Sequence, residues 1–462
     1  MALTLTFYGG AGKVTGSNFL IEGSESKILV DCGLEQGRDF CEECMYGPFA
    51  YDPTSVSALV ITHAHLDHVG LIPKLVHEGF RGSIYLTPPT GDLTELILRD
   101  AVAILAQEAE RLGHEPLYTD ADVDATIALF KPIEYHTETP VAGGISVYLR
   151  HTGHILGAAS VRVTAKDETV LTLTGDIGNP SPLLPTWEAV GDSDAIVMES
   201  VYGNKVHPPL EKRTEHMRTV LAKAIAKGGA ILIPAFSLER TELMLYELSN
   251  FYEAGTLPKV PVFLDSPLAI NVLSVYEKWG STYFNYDAQR EMLREQSLFQ
   301  FPFLTLAKTI QESHAIDAVP NPKIIIAGAG MSHGGRIGRH EEMYLPDKKS
   351  TLITVGYQAP GSPGRQIAEG VSRVRVNNRN VKIRATIENL GEWSAHADRD
   401  ELLTFAEAAA AGKRVKTIFT ALGEPAAERF LAQRIHDFLG VRAIAAEAGQ
   451  TWEVSRFGTR KL

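Results

Sequence analysis

Residues 63–68 read His-Ala-His-Leu-Asp-His, directly after the apolar triplet Leu59-Val60-Ile61 and before Val69-Gly70. With 15 histidines and 56 acidic residues in 462, such a pattern arises by chance in roughly two chains per thousand, so the cluster calls for a chemical reason. Neutral imidazole and carboxylate are the donors of Zn²⁺ sites, and ligand softness leaves Mn²⁺ or Fe²⁺ as alternatives. On an extended segment His63, His65 and Asp67, at i, i+2 and i+4, point one way while His68 points another. One loop can then serve two metal positions.

Four more residues extend this chemistry downstream. His154 lies in Thr152-Gly153-His154-Ile155-Leu156-Gly157, Asp176 in Thr174-Gly175-Asp176-Ile177-Gly178, Glu199 in Met198-Glu199-Ser200-Val201-Tyr202-Gly203 and His396 in Trp393-Ser394-Ala395-His396-Ala397-Asp398. Taken singly, each is an ordinary turn former, strand end or helix start. Their order after the histidine-rich loop is what gives them weight.

These residues need elements to hold them. Period-two alternation over 3–8 and the runs 18–21 and 27–31 predict a β-meander whose first turn is rich in glycine (Gly9, Gly10, Gly12, Gly16), and 59–61 is a further short strand. Asp31-Cys32-Gly33 closes one of these strands and is placed to support the metal loop. Helices are expected over 73–79 and about 90–112, with further strands at 144–150, 160–164, 169–174 and 195–198. From about Lys205 the pattern changes to helix (210–227), strand (230–234), helix (240–251) and strands (260–264, 323–327), the alternation of a parallel sheet with flanking helices.

Composition bounds the rest. The chain has 462 residues, enough for two or three domains, with 44% hydrophobic and 22% charged residues, which excludes disordered and fibrous classes. Its 44 Lys and Arg against 56 Asp and Glu give a net charge of −12, so a nucleic-acid surface must be local. No apolar run approaches the ~20 residues of a membrane span, no secretion signal is visible at the start, and the cytoplasm is the expected compartment. Three cysteines, Cys32, Cys41 and Cys44, are too few for a disulfide framework. A structural zinc site on the Cys41-Glu42-Glu43-Cys44 pair lacks its second pair of ligands, and loop packing is expected there.

The histidine-rich motif with His154 and Asp176 resembles the signature of the metallo-β-lactamase superfamily, and Glu199 and His396 narrow the resemblance to its β-CASP nucleases. Pro234-Ala235-Phe236, Asp265-Ser266-Pro267-Leu268-Ala269, Gly330-Met331, Gly334-Gly335-Arg336 and Val355-Gly356-Tyr357-Gln358 resemble the inserted domain of bacterial and archaeal relatives of the polyadenylation-factor endonuclease. The likeness runs from Met1 to about Leu439. It implies an α/β fold, a metallo-β-lactamase αββα sandwich (1–205 and 379–462) carrying an inserted α/β β-CASP domain (206–378), with catalysis in a cleft between lobes. The implied metal ligands are His63, His65, Asp67, His68, His154 and the bridging Asp176. Asp67, Asp176, Glu199 and His396 are the implied catalytic residues, with Glu199 orienting His396.

The resemblance implies a ribonuclease, endo- or 5′-exo-acting, that leaves 5′-phosphates. It binds one or two Zn²⁺, with Mn²⁺ as the alternative, and RNA is its partner; a homodimer is carried over from relatives. One departure matters: Leu422, in Thr420-Ala421-Leu422-Gly423-Glu424, stands where the family usually places a last ligand histidine. A weakened second metal site is expected, and a DNA nuclease acting on single strands or a degenerate RNA-binding homologue are the competing readings. Arg240, Arg336, Arg365 and Tyr357 are candidate substrate contacts. Arg373, Arg375, Arg379, Lys382 and Arg384 form a basic strip without an acid between Val371 and Arg384.

Overall fold

The computed structural model describes residues 2–36, 41–236, 238–295, 297–359 and 361–462. The chain divides into two compact units, Met1–Val206 with His396–Leu462, and His207–Ala395.

Two sheets make the centre of the first unit. Among the described residues one has eight strands, with Leu3–Phe7, Phe19–Glu22, Lys27–Val30, Ala58–Val60 and Ser83–Leu86 adjacent in that order. The other has seven, running from Arg442–Ala445 through Thr417–Ala421, Ala195–Glu199, Val170–Leu173, Ala159–Ala165 and Ile145–His151 to Thr139–Ala142. Alternation sends Leu5, Phe7, Phe19, Val30 and Val60 from the first sheet and Val147, Val161, Leu171, Val197 and Phe419 from the second into one buried cluster. The outer faces bury Leu29, Leu59 and Ile61 with Leu98 and Leu105 of helix Pro88–Leu112, and Ile196, Met198 and Ile418 with helices Arg399–Ala410 and Pro425–Leu439. Helix, sheet, sheet and helix are therefore stacked as four layers.

Among the described residues the second unit holds a six-stranded sheet in which every neighbouring pair is parallel, centred on Lys323–Ala327, Ala230–Pro234 and Val262–Asp265. Its central strands are buried at every position, as a sheet covered on both faces requires. The helix predicted to start at Thr90 begins two residues earlier, at Pro88, because Thr87 caps it through its hydroxyl and a proline fits the first turn. At the cysteines the expectation of mere loop packing needs correction: Cys41 and Cys44 are joined by a disulfide at helix Glu42–Tyr46, while Cys32 is a buried free thiol pushed up to about 12 by desolvation. Among the described residues no helix is long and apolar enough to cross a membrane.

Candidate metal centre

The strand Ala58–Val60 delivers the histidine loop. After a bend at Thr62 the imidazoles of His63 and His65 meet with Nε2 and Nδ1 3.0 Å apart, and the His65 backbone is extended. Beyond His65 the chain is no longer extended. The amides of His68 and Val69 both donate to the carbonyl of His65, so a short helix, Leu66–Val69, starts one residue later and carries Asp67, whose carboxyl interacts with His68, Asp176 and His63. The reading of His63, His65 and Asp67 as three side chains aligned on one extended segment is corrected accordingly.

That helix is clamped by two loops of the first sheet. The Ser17 amide donates to Asp67 O, the Cys32 amide to His68 O and the Leu34 amide to Leu66 O. Gly33 makes this approach possible, since a Cβ there would lie 1.6 Å from Asp67 O. Asp31 sits beneath, with both carboxylate oxygens in use. It accepts the Thr62 amide at 2.8 Å, the Ser17 hydroxyl at 2.9 Å and His68 Nδ1 at 2.7 Å. With Nδ1 engaged by Asp31, Nε2 is the nitrogen that His68 turns toward the site. It is buried without a hydrogen-bond partner, 3.5 Å from Asp176 Oδ1.

The second sheet supplies the other donors. His154 follows strand Ile145–His151, and Asp176 follows Val170–Leu173. Gly178 seats the two loops on each other: its amide donates to Thr152 O at 2.8 Å, and a Cβ there would be 2.1 Å from Gly153 O. His154 Nε2 and His63 Nε2 are each 3.3 Å from Asp176 Oδ2, and His154 Nε2 is 3.2 Å from His65 Nδ1. His63, His65, His154 and Asp176 thus converge as one group that can hold a metal ion.

Two observations support that fit. Ligand atoms of a tetrahedral ion with bonds of 2.0–2.1 Å stand about 3.3 Å apart, the spacing found here. In addition, His65 Nδ1 faces the ring nitrogens of two other histidines, and neutral imidazoles, with one proton each, cannot satisfy that arrangement as hydrogen bonds alone. Burial, the largest influence, pushes the pKa values of His63, His65 and His154 below the usual histidine range, which keeps them in the neutral form a metal requires. His68 moves the other way: burial opposes its charge, but the carboxylates of Asp176 and Asp31 outweigh it. Burial also works against the charge of Asp176, yet His68, His63 and His154 hold its carboxyl well below the ordinary range.

A second group shares Asp176. Glu199 ends strand Ala195–Glu199 and is fully buried. Its Oε1 accepts the Ile177 amide at 2.6 Å and lies 3.3 Å from His396 Nδ1, which is 3.8 Å from Asp176 Oδ2. Asp67 and His68 fall outside both groups. Leu422 is 1% exposed and packs in the apolar cluster between the sheets with Phe7, Phe19, Phe419 and Trp452. Its φ of 51° is left-handed, and its amide bonds Gly10 O at 2.6 Å.

The four substrate candidates belong to the second unit. Arg240 is buried and donates to Trp393 O. Arg336 donates to Asp265 and to the carbonyls of Ala307 and Lys308, and Arg365 pairs with Glu369 on its own helix. Tyr357 is half-buried after strand Thr351–Val355. Ser17 and Thr62, which fix Asp31, were not foreseen as site residues. Thr62 stands next to His63 in the motif, whereas Ser17 reaches Asp31 only through the pairing of the first strands.

Comparison with known proteins agrees with this geometry. The metallo-β-lactamase superfamily model matches residues 11–201, the β-CASP domain 241–367, and the Zn-dependent metallo-hydrolase RNA specificity domain 380–446. Ribonuclease TTHA0252 of Thermus thermophilus is 36% identical over 402 residues, covering 86% of this chain and 89% of that protein. Transcription termination factor FttA of Methanosarcina mazei is 30% identical over 456 residues, covering 96% of this chain and 70% of that one. A crystal structure of a protein of unknown function from Enterococcus faecalis V583 shares the fold at a TM-score of 0.57, with 12% identity, over 98% of this chain and 100% of the other. The domain models, taken with relatives aligned over nearly the whole chain, place it in the β-CASP family of the metallo-β-lactamase superfamily, with an αββα sandwich and an inserted α/β domain.

Proposed function

We propose that this chain is a metal-dependent ribonuclease that hydrolyses RNA phosphodiester bonds and leaves 5′-phosphate ends. The observation that carries the reading is the tetrahedral spacing of His63, His65, His154 and Asp176 with the Glu199–His396 pair alongside. The RNA specificity domain model and the relative named a ribonuclease support RNA as the substrate. Zn²⁺ is the proposed ion, with Mn²⁺ as alternative, since three imidazoles and a carboxylate are its preferred donors.

When bound, the metal supplies Lewis-acid activation of water and neutralises charge on the phosphate. His63, His65 and His154 offer it neutral nitrogens, and Asp176 a carboxylate oriented toward both halves of the site. Asp67 and His68 are proposed for a second ion, with Asp31 fixing the His68 tautomer. Glu199 holds His396 through Nδ1, which directs the ring to donate a proton to the leaving 3′-oxygen. The anchored turn at Ile177 keeps Glu199 and Asp176 in register. Substrate contacts are proposed for Arg240, Arg336, Arg365 and Tyr357.

The test is purified protein assayed for bound metal and for cleavage of matched labelled RNA and DNA strands. RNA cut to 5′-phosphate products, with loss of cutting in Asp176→Ala, is expected. Cleavage that survives Asp176→Ala undiminished, or a preference for DNA, would overturn the reading.

A further inference from the structure

The basic strip of the second unit folds as an antiparallel hairpin, Arg373–Val376 with Arg379–Lys382. Its two faces differ sharply. Val374, Val376 and Val381 are 2%, 1% and 7% exposed and belong to the apolar cluster of Ile337, Tyr344, Leu345 and Ile367. Arg373, Arg375 and Lys382 are exposed on the other face. Alternation puts Arg373 and Arg375 on the same side about 7 Å apart, and the register sets Lys382 directly across from Arg373 and Asn380 across from Arg375.

The valines account for the folding of this hairpin, but they do not account for its cations. Like charges directly opposite on paired strands are destabilising. The usual remedy is a neighbouring carboxylate, abundant in a chain of net charge −12, and Arg379 has one in Glu342 at 3.1 Å. Among the described residues, Arg373, Arg375 and Lys382 have no carboxylate within 4.0 Å, and Arg375 bonds only the amide oxygen of Asn378. Arg384, just past the end of the second strand, is exposed as well. The cost of unneutralised, mutually repelling charge on an otherwise acidic protein is offset when a polyanion lies across it.

We propose that the outer face of this hairpin, Arg373, Arg375 and Lys382, is a binding surface for the phosphate backbone of single-stranded RNA. The proposal rests on RNA being the substrate, and it assigns the hairpin to holding the strand without a part in bond cleavage. Its contacts are to phosphates, so it contributes affinity without base preference.

The experiment is anisotropy of a labelled RNA strand of about 20 nucleotides bound to full-length protein, in the Asp176→Asn background so that the strand survives. Replacing Arg373, Arg375 and Lys382 together by Gln weakens binding at least about tenfold at low salt. It also lowers the slope of log Kd against log salt by about 2, at roughly 0.7 for each phosphate that is no longer neutralised. The charge-preserving triple variant, R373K/R375K/K382R, keeps the parent affinity, and melting temperatures confirm that both variants are folded. An unchanged Kd and slope in the Gln variant, or an equal loss in the charge-preserving one, would overturn the proposal. Failure of the ribonuclease reading would show elsewhere, as a parent protein that binds RNA but does not cut it.

Discussion

On one side of Asp176 stand His63, His65 and His154, three buried imidazoles whose ring nitrogens meet within 3.0–3.3 Å of one another or of Asp176 Oδ2. On the other side His68 and the carboxyl of Asp67 face Asp176 without further imidazoles: His68 Nδ1 is held by Asp31, its Nε2 is 3.5 Å from Asp176 Oδ1, and Leu422, read from the sequence as a departure from the family pattern, packs in the apolar core. The two halves share a carboxylate and a fold, yet one is complete and the other lacks a neutral donor. Affinity at such sites follows ligand number and kind, so one ion is expected to bind tightly and a second weakly.

Asp176→Asn removes what the halves share. It should abolish tight metal binding and lower RNA cleavage by about 10³-fold or more. A variant that keeps both metal and activity would mean that Asp176 bridges nothing. Next in size is the contrast between His154→Ala and His68→Ala. The first should empty the tight site, while the second leaves about one ion per chain after dialysis, by elemental analysis. Equal losses would erase the asymmetry. Asp31→Asn weakens the bond that orients His68 together with those to Thr62 and Ser17, so the second ion should bind some 10–100-fold more weakly, with a smaller effect on the first.

Leu422→His is the smallest and most instructive change. Replacing a buried leucine with imidazole should cost about 2–3 kcal/mol of stability, because the polar ring cannot stay in the pocket it inherits. If the ring turns toward His68, metal content rises toward two. One ion per chain together with the stability loss would mean that position 422 has become purely structural.

The well-furnished half was legible in the sequence, since His63 and His65 share six residues with Asp67 and His68, and His154 and Asp176 follow in order. The geometry of the weak half was not. Where the loop turns helical depends on amides from residues 17, 32 and 34 that clamp Leu66–His68, and these come together only in the folded sheet. The left-handed backbone at Leu422 is likewise imposed by tertiary contacts, a Gly10 carbonyl 412 positions earlier in the chain and the apolar cluster around it. The pairing of Arg336 with Asp265 shows the same limit: 71 residues separate the two, and no local pattern signals that they meet. The single strands and helices were better signalled, because alternation and apolar runs are local properties, and the switch to a parallel sheet from about Lys205 is visible as a change of period; the four-layer stacking itself came only from the family resemblance.

The central claim is that three histidines and one aspartate surround a transition metal. Anomalous diffraction at the zinc edge, from crystals of the full chain equilibrated with zinc, tests it most directly. A strong peak is expected within about 2.0–2.2 Å of His63 Nε2, His65 Nδ1, His154 Nε2 and Asp176 Oδ2, with at most a weaker one beside His68. A map with no peak among those four atoms, at saturating zinc, would contradict it.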